Sequence, residues 1–177
     1  MPLWSKITLG LLAATLVAGF LLWWLMDHRR GTAWAISVVR DRFPDVRHIS
    51  SADLQRWLSD ASRQPPIVID ARSAEENAVS HLPEALHLDV ESVTDETLQR
   101  LDPSRSYVTY CSAGYRACQL ARRLHSLGIA DVANLEGGIF TWANEGHPVV
   151  QGERPVTAVH PYHSLFSRML KPERRQP

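Results

Sequence analysis

Lysine is nearly missing from this chain. Of nineteen basic residues only Lys6 and Lys171 are lysine, the other seventeen being arginine, and nineteen acidic residues cancel them. A net charge of zero leaves no global positive field to argue for a nucleic-acid partner. Cysteine is scarce too: Cys111 and Cys118 are the only two. They do not make a disulfide framework, no Cys/His spacing suggests zinc or another metal, and no cofactor is expected. Internal repeats and low-complexity tracts are absent. The 177 residues leave room for one domain whose core can fold without staples.

Charge is also lacking in one long stretch near the N-terminus. Ile7 to Met26 is twenty residues without an ionisable side chain, at ~1.5 Å per residue enough for a ~30 Å hydrocarbon core. Trp4 precedes it, and Trp23, Trp24 and Trp34 stand at or beyond its far end, as interfacial anchors do. The expectation is an anchor over residues 1–30, a single pass through the membrane over 7–26. Lys6 is the only basic residue before the span, whereas Arg29, Arg30, Arg40 and Arg42 follow it. The positive-inside rule then places the rest of the chain in the cytoplasm, where a free thiol also belongs. The alternative is a cleaved secretory signal, since Ala33-Trp-Ala35 has the small-x-small form of a cleavage site. Against cleavage, the apolar run exceeds the ~7–15 residues of a signal's hydrophobic region.

Residues 31–45 are expected as a linker, with a short interfacial helix through Trp34, Ile36, Val38 and Val39 as an option. A domain over 46–150 follows, then a Pro- and Arg-rich tail over 151–177. The domain opens with a strand at Arg47–Ile49 and a helix that Ser50 caps and that carries Leu54 and Trp57. Ile67-Val-Ile69 suits a strand buried on both faces. A short strand at Ala85–Leu88, a helix from Thr94 to Leu101, and strands at Tyr107–Tyr110 and Asp131–Leu135 follow, with a last helix around Trp142. This alternation predicts an α/β fold: a parallel sheet of about five strands with helices on both faces. Ligands in such sheets sit beyond the carboxyl ends of the strands. The tail holds one compact patch, Val159–Phe166, placed either to pack back on the domain or to lie against the membrane.

Cys111 falls at such a carboxyl end. The run Ser106-Tyr-Val-Thr-Tyr110 leads into it, and Ala117, Leu120, Ala121, Leu124 and Leu127 then repeat at helical spacing. A cysteine between a strand end and a helix start lies among N–H groups without intrahelical partners and near the positive end of the helix dipole. Such a position favours the thiolate, the nucleophilic form. Gly114 allows backbone conformations that turn successive N–H groups into one bowl.

Four segments together resemble the rhodanese family. Ile67-Val-Ile-Asp-Ala-Arg72 is similar to its strand ending in Asp-x-Arg. Ser80-His-Leu-Pro-Glu-Ala85 is similar to Gly-His-Ile-Pro-Gly-Ala, with Ser80 and Glu84 replacing the usual glycines. Cys111-Ser-Ala-Gly-Tyr-Arg116 is similar to the loop Cys-x-x-Gly-x-Arg, and Leu135-Glu-Gly-Gly-Ile-Phe-Thr-Trp142 to the late Leu-x-Gly-Gly-x-x-x-Trp. All four keep the family's order. The resemblance implies a rhodanese-like sulfurtransferase: Cys111 would take sulfane sulfur from a small anionic donor such as thiosulfate, hold it as a persulfide, and pass it to a thiol or protein acceptor. Ser112, Ala113, Gly114 and Tyr115 would supply substrate-binding backbone donors, although Ser112 stands where many thiosulfate-using members carry a basic residue. Arg116 would stabilise the loop and the donor, pairing with Asp70, or be a solvated arginine. Asp70 and Arg72 would border the pocket or form an ordinary structural ion pair. His81 would turn the chain rather than act as a base, and Cys118 would be a packing residue rather than a resolving thiol. Two other readings are a phosphatase, whose Cys-x-x-x-x-x-Arg loop is one residue longer, and a non-catalytic membrane-tethered module that recruits partners.

Overall fold

The computed structural model describes residues 3–25 and 28–176. Leu3–Leu25 forms helix α1 and His28–Arg42 helix α2. The side chains of α1 are described from Gly10 to Leu21; within that stretch Leu11, Leu12, Leu16, Val17, Phe20 and Leu21 are all half or more exposed. The expected span ends at Met26, outside the described residues. Among the described residues no helix is long and apolar enough to cross a membrane.

Residues 31–45, expected as a linker, are mostly the helix α2, and it packs on the domain. Gly31, Ala35 and Val39 recur every four residues on its buried face. The first turn after this helix leads to Phe43 and Val46, which join the same core as Val39.

Arg47–Ile49 forms strand β1. Ser50 then accepts from the Asp53 N–H at 3.1 Å and starts helix α3, Ser51–Ser59. Ile67–Asp70 is β2. A short helix that the sequence reading leaves out follows: α4, Ala74–Val79, opened by a capping box in which Ser73 and Glu76 satisfy each other's N–H. Then come β3, Leu86–His87; α5, Asp95–Leu98; β4, Tyr107–Tyr110; α6, Tyr115–Ser126; β5, Val132–Leu135; and α7, Gly138–Asn144. The strands form one sheet in the order β1-β5-β4-β2-β3, every pair parallel. This is the five-stranded parallel sheet the alternation predicts.

Side-chain alternation along the strands splits the interior into two cores. Val68, Val108, Tyr110 and Leu135 pack with Leu54 and Trp57 of α3 and Ile139 and Trp142 of α7. Ile69, Tyr107 and Val132 pack on the other face with Leu98 of α5 and Leu120 and Leu124 of α6. Helices therefore cover both faces. Glu84, at a position where the resembling motif has glycine, sits at φ 58°, the left-handed region that glycine enters most easily. The departure seen in the sequence keeps the turn and places a glutamate in the conformation it disfavours.

Residues 151–177, expected as a tail, carry structure of their own. An antiparallel hairpin, β6 (Val149–Gln151) with β7 (Arg154–Val156), leads into 3-10 turns at Ser164–Met169 and Pro172–Arg174. Val159, Met169 and Leu170 are buried in the same core as Tyr110 and Phe140. Asn144 clamps the segment, donating to the Met169 carbonyl at 2.7 Å and accepting from the Lys171 N–H at 2.9 Å. Of the two placements open for Val159–Phe166, the structure takes the one against the domain.

Candidate active site

Cys111 follows directly on β4 at the carboxyl edge of the sheet, and α6 begins four residues later. Its thiol is buried, and the Gly114 N–H donates to Sγ at 3.1 Å. Gly114 reaches that position with φ 109°, and a Cβ there would press on the Asn134 amide at 3.3 Å. The far side of the loop is held by α7: the N–H groups of Ile139 and Phe140 donate to the carbonyls of Cys111 and Ser112 at 2.9 and 3.2 Å. In a trans peptide the carbonyl and the following N–H point opposite ways. Fixing these two carbonyls toward α7 therefore turns the N–H groups of Ser112 and Ala113 away from it. Gly138 makes the approach possible, since a Cβ on it would lie 2.0 Å from the Cys111 carbonyl oxygen.

Arg116 does not pair with Asp70, the partner expected for it. It makes a forked ion pair with Glu76 of α4, Nη1 to Oε2 at 2.7 Å and Nη2 to Oε1 at 2.8 Å. Ser112 joins the pair, donating Oγ–H to Glu76 at 2.7 Å and accepting from Arg116 at 3.0 Å. Burial alone would raise the Glu76 pKa, but the bonds from Arg116 and Ser112 outweigh it and hold the carboxyl below its usual range. Burial likewise opposes the Arg116 charge, and the bond to Glu76 with the nearby Cys111 reverses that, raising its pKa. Glu76 is one of the site residues missed in the sequence, beside the cavity-lining Phe140, Tyr162 and Phe166. The signal for Glu76 was legible: Ser73-Ala-Glu-Glu76 is a Ser-x-x-Glu capping box.

Asp70 and Arg72 pair with each other instead, both wholly buried, through Arg72 Nη2 to Asp70 Oδ2 at 2.7 Å and Nε to Oδ1 at 2.9 Å. Asn77 adds a bond to Asp70 at 2.9 Å, and the Ser80 carbonyl accepts from Arg72 at 2.6 Å. Burial raises the Asp70 pKa less than Arg72 and these bonds lower it, so the carboxyl stays below its usual value. Neither residue lines the cavity at Cys111. His81 faces the Asn77 carbonyl through Nδ1 at 3.2 Å, and its backbone pairs with Val150. Cys118 is wholly buried on α6, and burial, with the charge of Cys111 adding to it, pushes its thiol well up. A group held protonated in a core is a poor resolving thiol.

A cavity of about 240 Å³ opens over Cys111. The loop supplies one side through Cys111, Ser112, Ala113, Tyr115 and Arg116; Phe140, Tyr162 and Phe166 close the other. Tyr115 is partly exposed and meets Phe43 edge-on at 5.0 Å. Among the described residues no group of His, Cys, Asp or Glu side chains is arranged to hold a metal.

A family model of the rhodanese-like domain matches residues 50–145, more than half of the chain. The chain belongs to the rhodanese-like domain family. A sulfurtransferase of Allochromatium vinosum is 32% identical to it over 108 residues, 61% of this chain and 98% of that one. A putative sulfurtransferase of Bacillus subtilis is 30% identical over 104 residues, 59% of this chain and 97% of the relative. Among solved structures, a rhodanese-related protein of Thermoplasma volcanium superposes with a TM-score of 0.52 at 27% identity, covering 59% of this chain and 98% of its own.

The matched residues thus contribute strands β2 to β5, the loop and Glu76. Helix α2 and the C-terminal segment from Val159 lie outside the matched residues. Two of the aromatic rings over Cys111, Tyr162 and Phe166, come from that added segment. The loop presents the Cys111 sulfur to the Gly114 N–H, with the N–H groups of Ser112 and Ala113 turned away from α7, an arrangement able to favour an anionic sulfur.

Proposed function

We propose that the protein is a sulfurtransferase working through a persulfide on Cys111. The Cys111 thiolate attacks the outer sulfur of a sulfane donor; with thiosulfate, the sulfur–sulfur bond breaks and sulfite leaves with its electron pair. Cys111 then carries a terminal sulfur as a persulfide anion, next to the Gly114 N–H. An acceptor thiolate attacks that terminal sulfur, the bond to Cys111 breaks, and the thiolate returns. The two half-reactions balance without an external oxidant or reductant. The observation that most supports this reading is the Gly114 N–H donating to Sγ inside a loop whose carbonyls α7 ties back. Such donors stabilise a charge that moves between two sulfurs. The spacing Cys111 to Arg116, one residue shorter than a phosphatase loop, favours sulfur over a tetrahedral phosphate. The test is Cys111→Ser: sulfur transfer should vanish with the fold intact, and equal transfer in the variant would reject the reading.

The same proposal keeps α1 as a membrane anchor with the catalytic domain in the cytoplasm. Its support is the uncharged run Ile7 to Met26 in the sequence, which reaches beyond the described residues, together with the exposed apolar side chains between Gly10 and Leu21. Arginines follow it and do not precede it. Membrane fractionation with N-terminal sequencing tests it. A mature chain starting near Ile36 and free of membranes would overturn it.

A further inference from the structure

Two of the three rings in the wall that faces Cys111, Tyr162 and Phe166, come from outside the matched domain. Tyr162 stacks over Arg116, whose Cζ lies 4.5 Å from the ring centroid, and Phe166 stands beside Tyr162 with ring centroids 6.1 Å apart. Phe140 completes an aromatic side to the cavity. Tyr162 sits at φ 64°, a conformation a bulky residue rarely takes and one that its surroundings must impose. They do so here. Its N–H donates to His160 Nδ1 at 3.0 Å, and the segment is pinned on both sides by buried Val159 and by Met169 and Leu170. The wall is held in place from behind, while Tyr162 and Phe166 keep exposed edges at the mouth.

Charge in the cavity points the same way. Arg116 is the only cation among the described lining residues, and its forked bonds place its charge against the Glu76 carboxylate. Its flat face is taken by Tyr162. No lining cation is left to balance the second charge of an inorganic dianion. What remains is the Gly114 N–H at the sulfur and an apolar wall beside it.

Resting on the sulfur-transfer reading above, we propose that the C-terminal segment selects the donor. Tyr162 and Phe166, with Phe140, hold the apolar organic group of a singly charged sulfane-sulfur compound, in preference to thiosulfate. For a thiosulfonate donor the step balances as follows. The Cys111 thiolate bonds to the terminal sulfur, the bond between that sulfur and the sulfonyl sulfur breaks, and an organic sulfinate leaves with the electron pair. Cys111 is oxidised to the persulfide anion and the sulfonyl sulfur is reduced to sulfinate.

The test compares benzenethiosulfonate, methanethiosulfonate and thiosulfate as donors to the full-length chain, reading kcat/KM for each and the mass of the Cys111 peptide. Benzenethiosulfonate and methanethiosulfonate share their charge and differ in the ring. The expected preference for the aryl donor is about tenfold or more over the methyl one, the scale of discrimination an apolar pocket provides. In the double variant Tyr162→Ala, Phe166→Ala that ratio should fall toward one, and Tyr162→Phe should retain it. Both positions are partly exposed, so neither change empties the core. Sulfur found on Cys111 with an unchanged ratio in the double variant would overturn the selection by this wall alone. So would thiosulfate matching benzenethiosulfonate in the wild type. No sulfur on Cys111 from any of the three donors would overturn the sulfur-transfer reading and this inference with it.

Discussion

Glu76 and Arg116, forty residues apart in the chain, meet as a forked ion pair at 2.7 and 2.8 Å with almost no solvent exposure. The pair ties helix α4 to the first turn of α6 and brackets Ser112 between them. One carboxylate thereby fixes the loop that follows Cys111 and also caps its own helix, because the same Glu76 accepts from the Ser73 N–H at 3.2 Å. The loop is therefore built from two directions: α7 holds its carbonyls, and α4 holds its arginine.

Arg116→Lys keeps the charge and loses the fork, since an ammonium cannot make two parallel bonds to one carboxylate. Sulfur transfer should fall about tenfold or more, on the scale of one lost positioning contact at a reacting centre. Glu76→Gln, which leaves a buried guanidinium without its counter-charge, should also cost about 3 kcal/mol of stability. Steady-state kinetics with thermal unfolding checks both. Unchanged turnover in the lysine variant would mean that the fork does not serve the loop.

Acid should loosen the domain through Glu76 and Asp70. Both carboxyls are held below their usual pKa in the folded chain. As pH drops below the ordinary carboxylate range of about 4, the unfolded chain takes up these protons before the folded one does. Their stabilisation is thus complete above that range and is lost as pH falls through the folded values. Unfolding followed from neutral pH downward should show stability dropping on the acid side, with a shallower drop in Glu76→Gln. An equally steep acid limb in that variant would place the proton uptake elsewhere.

Gly138→Ala should damage the site more than its size suggests. The residue sits at φ 54°, and the added methyl would meet the Cys111 carbonyl oxygen at 2.0 Å. Strain of this backbone kind costs about 1–3 kcal/mol, and relief requires α7 to draw back from the loop it holds. Lower unfolding temperature together with lower sulfur transfer is the expected pair of results. A variant with wild-type activity would show that the α7 contacts are dispensable.

Much of this arrangement was legible in the sequence. Strand and helix alternation placed the sheet, and Cys111 fell where the order of elements put it. Gly114 marked the turn of the loop, whereas the Gly137-Gly138 pair stood only as part of the late motif, its close approach to Cys111 unread. Two things were not read. Helix α4 is six residues long, too short for a periodic pattern, so Glu76 stayed hidden although its capping box was present. The identity of the partner of Arg116 depended on which of two neighbouring acidic groups reached it. Asp70 is instead paired with Arg72 two residues away, both buried. The region before the domain and the region after it were read from composition as linker and tail. Their buried residues, Ala35 and Val39 in one and Val159, Met169 and Leu170 in the other, are too sparse to announce themselves. They find their cores only once the sheet exists.

The central claim is that Cys111 carries the transferred sulfur. The most direct measurement is peptide mass spectrometry of the full-length chain after exposure to a sulfane-sulfur donor, followed by addition of a thiol acceptor. The account predicts the Cys111 peptide heavier by one sulfur atom, Cys118 unchanged, and the added sulfur discharged to the thiol. An unmodified Cys111 with every donor, or sulfur that stays on it after the thiol is added, would contradict the account.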